Sequence, residues 1–565
     1  MEYNKKLVTD LHNLKGKRVV LRCDFNVPIS KTTGLITDPT RILAALDTIG
    51  YLLDKGAKVI VMSHLSRIKK LDDKTSGKKS LKIVYEKLKQ LLPGKTILFA
   101  KNNLDKSLIS QIDKMEDGSL LLLENTRYAD VNESGEVVKW ESKNNTNLAK
   151  FWASFADAYV NDAFGTCHRA HASNVGIASN VKESAIGFLV DKELSKLSKA
   201  IKNPARPVVA IFGGAKVSDK VDSIRNIAKV SDKVLIGGGM AYIFLKAKGF
   251  EIGNSLCEND QIDVAKSLLN EFGEKIVLPV DVKCANNIEA VRGINVLANT
   301  IPSHLAGFDI GRQTIRIFKR IIKTARTVIW NGPLGVFENY AFSKGTRKVC
   351  KAVAKVTRVW NCYSVIGGGD SAAAVIGFGY GQAFSHISTG GGASLDFFAD
   401  KILPGIDCIQ NKNGEIHKTV VATPVEKKEI PAAPVKKEVK APAKKVVKKA
   451  APKKKKPVAK KTVQPKKAVA PVVAKPVQKQ EPKVVPQTPA PVKKAAPAKK
   501  PATRKPVDPK QKITSLYNRF KKEVDNYVLD ESTDKSFSEF KSLFDDYIDH
   551  PQKKAVEKKK TNKKK

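Results

Sequence analysis

The stretch NDAFGTCHRAHASNVG, Asn161 to Gly176, puts Cys167, His168 and His171 within five positions, with Arg169 between the histidines. Two chemistries suit such a cluster: a metal centre, or a basic patch for an anion. A structural Zn²⁺ takes four ligands, most often as two close pairs, and no second Cys/His pair at ligand spacing occurs in the chain. The basic patch is the better reading, because related residues follow successive short apolar runs in the first 185 residues: RCDFN, SHLSR, ENTRY and NDAFG. Together with the helical TRILAAL they supply Asp24, Asn26, Arg41, His64, Arg67, Arg127, His168, Arg169 and His171. Five or six cationic side chains converging on one edge repel one another unless an anion joins them, and arginine's planar fork suits phosphate and carboxylate groups. Taken singly, each arginine also reads as a surface salt bridge, His64 as an ordinary loop residue, and Cys167 as a small buried side chain.

The second half of the chain ends its apolar runs in glycine instead: VVAIFGGAKVSDK, DKVLIGGGMAYIFLKAKG, YSVIGGGDSAAAVIGFG and SHISTGGGASLDFFA. A helix N-terminus exposes unpaired N–H groups and a partial positive charge, and glycine lets the backbone approach a phosphate closely. One such cluster is as readily a tight turn; four at one end of a parallel sheet predict a nucleotide crevice. No G-x-x-x-x-G-K-[ST] occurs and no G-x-G-x-x-G follows a strand, which excludes a P-loop and an ordinary dinucleotide fold. Lys216 and Lys220, four apart, are expected at the opening of a helix, facing one phosphate ligand or forming a solvated helix face. Asp370, after three glycines, suits a Mg²⁺ ion beside a bound nucleotide, directly or through water. It also suits a helix cap, and the two roles do not exclude each other.

The elements that must position these residues follow from the alternation of β-branched runs with amphipathic ones, as in KRVVLRCDFNVP then TRILAALDTIGYLLDKG. That pattern predicts an α/β fold of parallel sheets covered by helices. The helical stretch from Gly187 to Ile201 separates the two halves as a stiff connector. The chain has 565 residues and a formal net charge of +45, but the charge is uneven: from Val421 onward, 41 Lys and Arg stand against 15 Asp and Glu. The seven cysteines form no C-x-x-C, the N-terminus has no apolar leader, and no run approaches 18 apolar residues. A reduced, cytoplasmic protein without a membrane span is expected.

Taken together these segments closely resemble the phosphoglycerate kinase family over about Tyr3 to Asp407. The match is carried by RCDFNVP, ITDPTRILAAL, MSHLSR, LLLENTRY, YVNDAFGTCHRAHAS, FGGAKVSDK, LIGGGMAYIFLKA, LPVD, VIWNGPLGVFE, VIGGGDSAAAV and STGGGASLDF, in the family's order and spacing. The resemblance implies two Rossmann-like, doubly wound lobes joined by a helix, probing one substrate each. It implies reversible phosphoryl transfer between 1,3-bisphosphoglycerate and Mg-ADP, giving 3-phosphoglycerate and ATP in glycolysis, by a catalytic part that is a monomer. By motif, Asp24, Asn26, Arg41, His64, Arg67, Arg127 and Arg169 would hold phosphoglycerate. Gly214, Ala215, Lys216, Lys220, Gly238, Asn331, Pro333, Glu338, Gly367, Gly368, Gly369, Asp370 and Ser371 would line the nucleotide site, with Glu338 on the ribose and Asp370 toward Mg²⁺. Arg41, Lys216 and Gly369 would act on the moving phosphoryl group. Four departures stand out: Ser66 and Ile68 replace a usual glycine and proline, Arg312 a usual proline, and Asp396 a usual glutamate. SHLAGFDIGRQT also lacks a common tryptophan.

The expected organisation is a phosphoglycerate-binding lobe over 1–186, the connecting helix over 187–201, a nucleotide-binding lobe over 202–402 and a return segment over 403–418. Beyond it the sequence turns to Lys, Ala, Pro and Val, so 419–511 is expected to be a disordered linker. In 512–550, Ile513, Leu516, Phe520, Val524 and Tyr527, then Phe537, Phe540, Phe544 and Tyr547, recur at helical spacing, which predicts a two-helix hairpin. Residues 551–565 form a basic, disordered end. The hairpin suits a tether to a protein assembly; the linker suits non-specific nucleic-acid or ribosome binding, although it has few aromatics for stacking bases. A third reading keeps the kinase fold only as a scaffold.

Overall fold

The structure, a computed structural model, describes residues 3–415. Six short apolar runs form β1 (Arg18–Arg22), β2 (Lys58–Met62), β3 (Ile97–Ala100), β4 (Leu120–Leu123), β5 (Ala158–Asn161) and β6 (Ser184–Ile186). They pair in parallel in the order β3-β4-β2-β1-β5-β6. Residues alternate between two faces: Val19 and Leu21 join one core with Leu52 and Val61, while Val20 joins the other with Ile60 and Trp152. A sheet covered on both faces needs apolar residues at every position, which is why Leu120–Leu123 is an unbroken run of buried leucines.

The second lobe contains β7 (Val208–Phe212), β8 (Lys233–Ile236) and β9 (Ile276–Val277), then β10 (Asp281–Ala285), β11 (Ile294–Leu297) and β12 (Ala306–Ile310). It continues with β13 (Thr327–Asn331), β14 (Tyr363–Gly367) and β15 (His386–Ile387). The parallel order β15-β14-β13-β7-β8-β9 gives a second six-stranded sheet, so the α/β two-sheet expectation holds. The antiparallel trio β11-β10-β12 has no counterpart in the sequence reading.

The helix Phe188–Ile201 joins the lobes and is anchored to both. At its start the buried Asp162 carboxylate, from the end of β5, accepts the amides of Leu189 and Val190 at 2.9 and 3.1 Å. Burial raises the Asp162 carboxyl to about 6 despite these bonds. One turn on, buried Glu193 accepts His386 Nε2 at 2.7 Å and the amide and hydroxyl of Thr389 at 2.7 and 2.8 Å, all beside β15. Residues 403–411 lie on the first lobe and include a short helix, Pro404–Asp407. There Lys5 Nζ donates to the carbonyls of Asp407 and Ile409, both at 2.8 Å, and Asn161 Nδ2 donates to that of Gly405 at 2.7 Å. The expected linker, hairpin and basic end, with 416–418, lie outside the described residues. Among the described residues no helix is long and apolar enough to cross a membrane.

Candidate functional site

The carboxyl ends of β4, β2, β1 and β5 are consecutive in the first sheet, and each carries part of the basic cluster. Asp24 and Asn26 follow β1, His64 and Arg67 follow β2, Arg127 follows β4, and His168 and Arg169 follow β5. Open α/β sheets bind ligands at this edge. Arg41, on the helix Thr40–Ala44, pairs with the buried Asp24 carboxylate, and His64 Nδ1 lies 3.7 Å from the same group. Burial alone would push the Asp24 carboxyl up, but Arg41, His64 and Arg22 together hold it below the usual range. Arg127 is buried and its Nε makes no hydrogen bond among the described residues, nor do His168 Nδ1 and His171 Nδ1, the latter 3.9 Å from a Glu141 carboxylate oxygen. A buried donor without an acceptor is costly, so Arg127 Nε suits an anion that supplies the missing oxygen.

The structure corrects one part of the basic-cluster reading. Burial and then the neighbouring arginines Arg22, Arg127 and Arg41 depress His64 to about 3 against the pull of Asp24, and burial likewise depresses His168 and His171. The histidines are neutral at pH 7, and the positive charge of the cluster is that of its arginines. No zinc arrangement forms at Cys167 either. Its buried thiol donates to the Ala163 carbonyl, and among the described residues no group of three His, Cys, Asp or Glu is placed to hold a metal.

Two charged residues escaped the sequence reading. Arg22, the last residue of β1, is wholly buried; its Nε donates to Ser173 Oγ at 2.8 Å and its guanidinium reaches within 3.4 Å of His64 Nδ1. Ser173 Oγ in turn donates to buried Glu141 at 2.6 Å. Ser66, at the position of a usual glycine, has φ of +59°, a conformation that favours glycine, and its amide donates to Asn26 Oδ1 at 2.8 Å. Ile68 is buried with Tyr128 and Val131, which anchors the loop that presents the exposed Arg67.

In the second sheet the chain order reverses between β7 and β13, and the glycine turns gather at that switch point. Gly213 is a forced choice there, since a Cβ would stand 2.1 Å from the Pro333 carbonyl oxygen. A cavity of about 590 Å³ opens beside it, lined by Gly214, Ala215, Gly238, Pro333, Glu338 and Asp370 of the expected set. Leu256, Ile288, Phe308 and Val336 complete an apolar wall, drawn largely from around the unforeseen small sheet. Lys216, Lys220, Asn331, Gly367, Gly368, Gly369 and Ser371 stand outside that lining. Asn331 Nδ2 is buried, unpartnered among the described residues and close to Gly367 and Gly368, while Ser371 Oγ accepts the Gly332 amide at 2.6 Å.

The expected helical pairing of Lys216 and Lys220 does not occur, because the helix begins only at Val221. Lys216 is exposed in the preceding loop, and Lys220 folds back to donate to the Gly213 carbonyl. Burial lowers Lys220 to about 8 against the pull of Asp370 and Asp219. The fourth glycine cluster faces away from the cavity toward the first lobe. A Cβ at Gly390 would sit 2.3 Å from the Phe164 ring, and Gly392 lies beside His168. Asp370 is exposed on the first turn of its helix, lines the cavity and makes no ion pair among the described residues. A carboxylate on the cavity wall that makes no ion pair among the described residues fits Mg²⁺, which usually takes one or two carboxylates plus substrate phosphates and water.

Comparison with known proteins gives one answer. The profile of a family described as phosphoglycerate kinase matches residues 8–401. A phosphoglycerate kinase of Malacoplasma penetrans is 69% identical over 415 residues, covering 74% of this chain and 88% of its own. One from Fusobacterium nucleatum is 50% identical over 411 residues, covering 72% of this chain and all of its own. The solved phosphoglycerate kinase of Coxiella burnetii superposes with a TM-score of 0.61 at 37% identity, covering 73% of this chain and all of that one.

Proposed function

This chain belongs to the phosphoglycerate kinase family, and on that premise we propose which residues handle each end of its reaction and what its extension does. The reaction is reversible phosphoryl transfer between 1,3-bisphosphoglycerate and ADP, giving 3-phosphoglycerate and ATP. Asp24, Asn26, Arg41, His64, Arg67, Arg127 and Arg169 hold phosphoglycerate on a lobe spanning 1–186. Gly214, Ala215, Lys216, Lys220, Gly238, Asn331, Pro333, Glu338, Gly367, Gly368, Gly369, Asp370 and Ser371 form the nucleotide site on a lobe spanning 202–402. The supporting observation is that the two sets sit at the carboxyl edges of separate parallel sheets, tied by one helix that both lobes anchor.

In the ATP-forming direction a terminal ADP oxygen attacks the acyl phosphorus, and the bond between phosphorus and the carboxyl oxygen breaks with its electron pair leaving on the carboxylate. Neither nucleophile nor leaving group needs a proton moved, so the catalytic task is alignment and charge stabilisation. Arg41 from one lobe, and Lys216 with the Gly369 amide from the other, neutralise the migrating group. Mg²⁺, when bound beside Asp370, supplies further neutralisation of the nucleotide phosphates. Approach of the lobes about the helix Phe188–Ile201 excludes the water that would otherwise hydrolyse the acyl phosphate.

Lys220 gives this reading a pH signature. Its charged form meets phosphate, and its folded value near 8 means the charge is lost in the free protein above that pH. Affinity for Mg-ADP is expected to fall by up to about tenfold per pH unit above 8, because binding must then also restore a proton. Titration calorimetry from pH 7 to 9.5 measures it, and Lys220→Arg should flatten the profile.

The extension, on this proposal, tethers a cytoplasmic enzyme to a protein assembly through 512–550, with 419–511 as the spacer. Its support is the apolar periodicity of the hairpin sequence, which purely electrostatic binding does not require. Deleting Ile513 to His550 should abolish co-sedimentation with a cytosolic complex while a coupled assay of ATP formation shows unchanged turnover. Unchanged co-sedimentation would reject the tether; loss of turnover would instead reject an independent extension.

A further inference from the structure

We propose that the paired helices Arg312–Ile322 and Lys344–Trp360, on the outer face of the second lobe, form a binding surface for the phosphate backbone of nucleic acid. Between Arg312 and Trp360 the chain has twelve Lys and Arg and a single acidic residue, Glu338. On the first helix and its C-cap the cations stand at 312, 316, 319, 320 and 323; on the second at 344, 347, 348, 351, 355 and 358. Apart from the adjacent pairs 319/320 and 347/348, both series step by three or four residues, so each helix presents one charged stripe. The opposite stripes, Ile315, Phe318 and Ile322 on one helix and Val349, Val353 and Val356 on the other, share one core against the sheet. Packed side by side on the same layer, the helices turn both charged stripes to solvent.

Carboxylates offset these cations little: Lys344 stands near the buried Asp309 but makes no ion pair with it. Among the described residues none of the twelve joins an ion pair, whereas lysines and arginines elsewhere on both lobes do. Arg347 lies over the Tyr340 ring, and Arg326 donates to the Trp360 carbonyl at 3.2 Å. None lines the nucleotide cavity. Holding so many like charges on one face disfavours the isolated protein, and a partner with closely spaced negative charge relieves that repulsion. At 1.5 Å per residue the longer stripe, from 344 to 358, runs about 21 Å, with roughly one to two cations per turn on each helix. A phosphate backbone supplies regular charge over such a length.

The remaining exposed groups favour nucleic acid over a membrane. A helix lying in a lipid interface buries its apolar face in the bilayer, but here those faces are already occupied by the core. At the end of the longer helix, next to Arg358, Trp360 is 37% exposed, which suits stacking of an unpaired base. This surface is distinct from the extension, whose own lysines would also bind polyanions.

Because the extension is also basic, the test compares variants of the full chain. Fluorescence anisotropy would follow a labelled mixed-sequence 20-nucleotide RNA between 50 and 200 mM KCl. The first variant is Arg316→Gln, Arg320→Gln, Lys351→Gln and Lys355→Gln together; the control removes equal charge as Lys82→Gln, Lys101→Gln, Lys106→Gln and Lys114→Gln on the first lobe. The helix variant should bind about tenfold or more weakly, with a salt slope shallower by up to about 3, since each single-strand phosphate contact contributes about 0.7. The control should change little, and ATP formation should be unaffected in both. Equal losses in the two variants, or none in either, would overturn the proposal. So would helix-dependent binding to phosphatidylglycerol vesicles in preference to RNA. As a second readout on the unsubstituted chain, ultraviolet crosslinks should map to 312–326 and 344–360; crosslinks confined to residues beyond 415 would also reject it.

Discussion

Replacing Arg41 by alanine is expected to lower kcat by about 10³-fold while leaving affinity for Mg-ADP and the unfolding midpoint almost unchanged. The size follows from its assigned role. A preorganised cation facing charge that moves in the transition state contributes about 10²–10³ or more to rate. Arg41 is about one-third exposed, so solvent screens its ion pair with Asp24, and the fixed charge of Arg22 still faces that buried carboxylate after the substitution. Asp24 retains His64 nearby, although that ring is neutral and cannot replace the lost charge. Arg41→Lys should recover only part of the rate, because an ammonium is a point charge without the guanidinium's planar fork. Steady-state kinetics in the ATP-forming direction, with calorimetric ADP binding, separate these outcomes. A fall in ADP affinity equal to the fall in kcat would show that Arg41 supports the nucleotide lobe and not the transfer step.

What the sequence revealed depends on where each residue stands. Residues just beyond strand ends were legible, because an open parallel sheet leaves that edge free and the apolar runs show where strands stop. Hence the sequence alone groups Asp24, His64, Arg127 and Arg169 at one sheet edge. The charge state of the histidines was not legible, since it depends on burial among Arg22, Arg41, Arg127 and Arg169, which come from three strand ends and a helix far apart in the chain. Glycine clusters marked turns but not their direction. Gly390 to Gly392 turns toward the first lobe only because Phe164 and His168 wait there, some two hundred residues earlier in the chain. The spacing of Lys216 and Lys220 is helical in form, but the helix begins at Val221, one residue after Lys220 and five after Lys216. The apolar wall of the nucleotide cavity was hidden for another reason: Leu256, Phe308 and Val336 look like ordinary core residues until the small antiparallel sheet brings their region to the glycine turns.

Arg22 was the least legible of all, and its replacement carries the largest expected effect on stability. In RVVLR it reads as the polar end of a strand, yet it is entirely buried, and Ser173 relays its guanidinium to the equally buried Glu141. Burial raises the Glu141 carboxyl, while Arg22 and the Ser173 bonds oppose that rise. Removing one charge from such a buried set leaves the other uncompensated, at a cost of about 3–5 kcal/mol. Arg22→Met should therefore lower the first lobe's urea midpoint substantially and also displace His64 and the Ser173 loop. Without Arg22 the folded-state value of Glu141 rises further above its unfolded one. A carboxyl raised in the folded state destabilises above its unfolded pKa, so the deficit relative to the parent should narrow as pH falls from 7 toward 5. The double variant Arg22→Met, Glu141→Gln removes both charges and should recover much of the lost stability at pH 7 without recovering substrate affinity. If the double variant is no more stable than Arg22→Met, the cost lies in lost packing around β1, and the buried charge relay is not what holds this edge of the sheet.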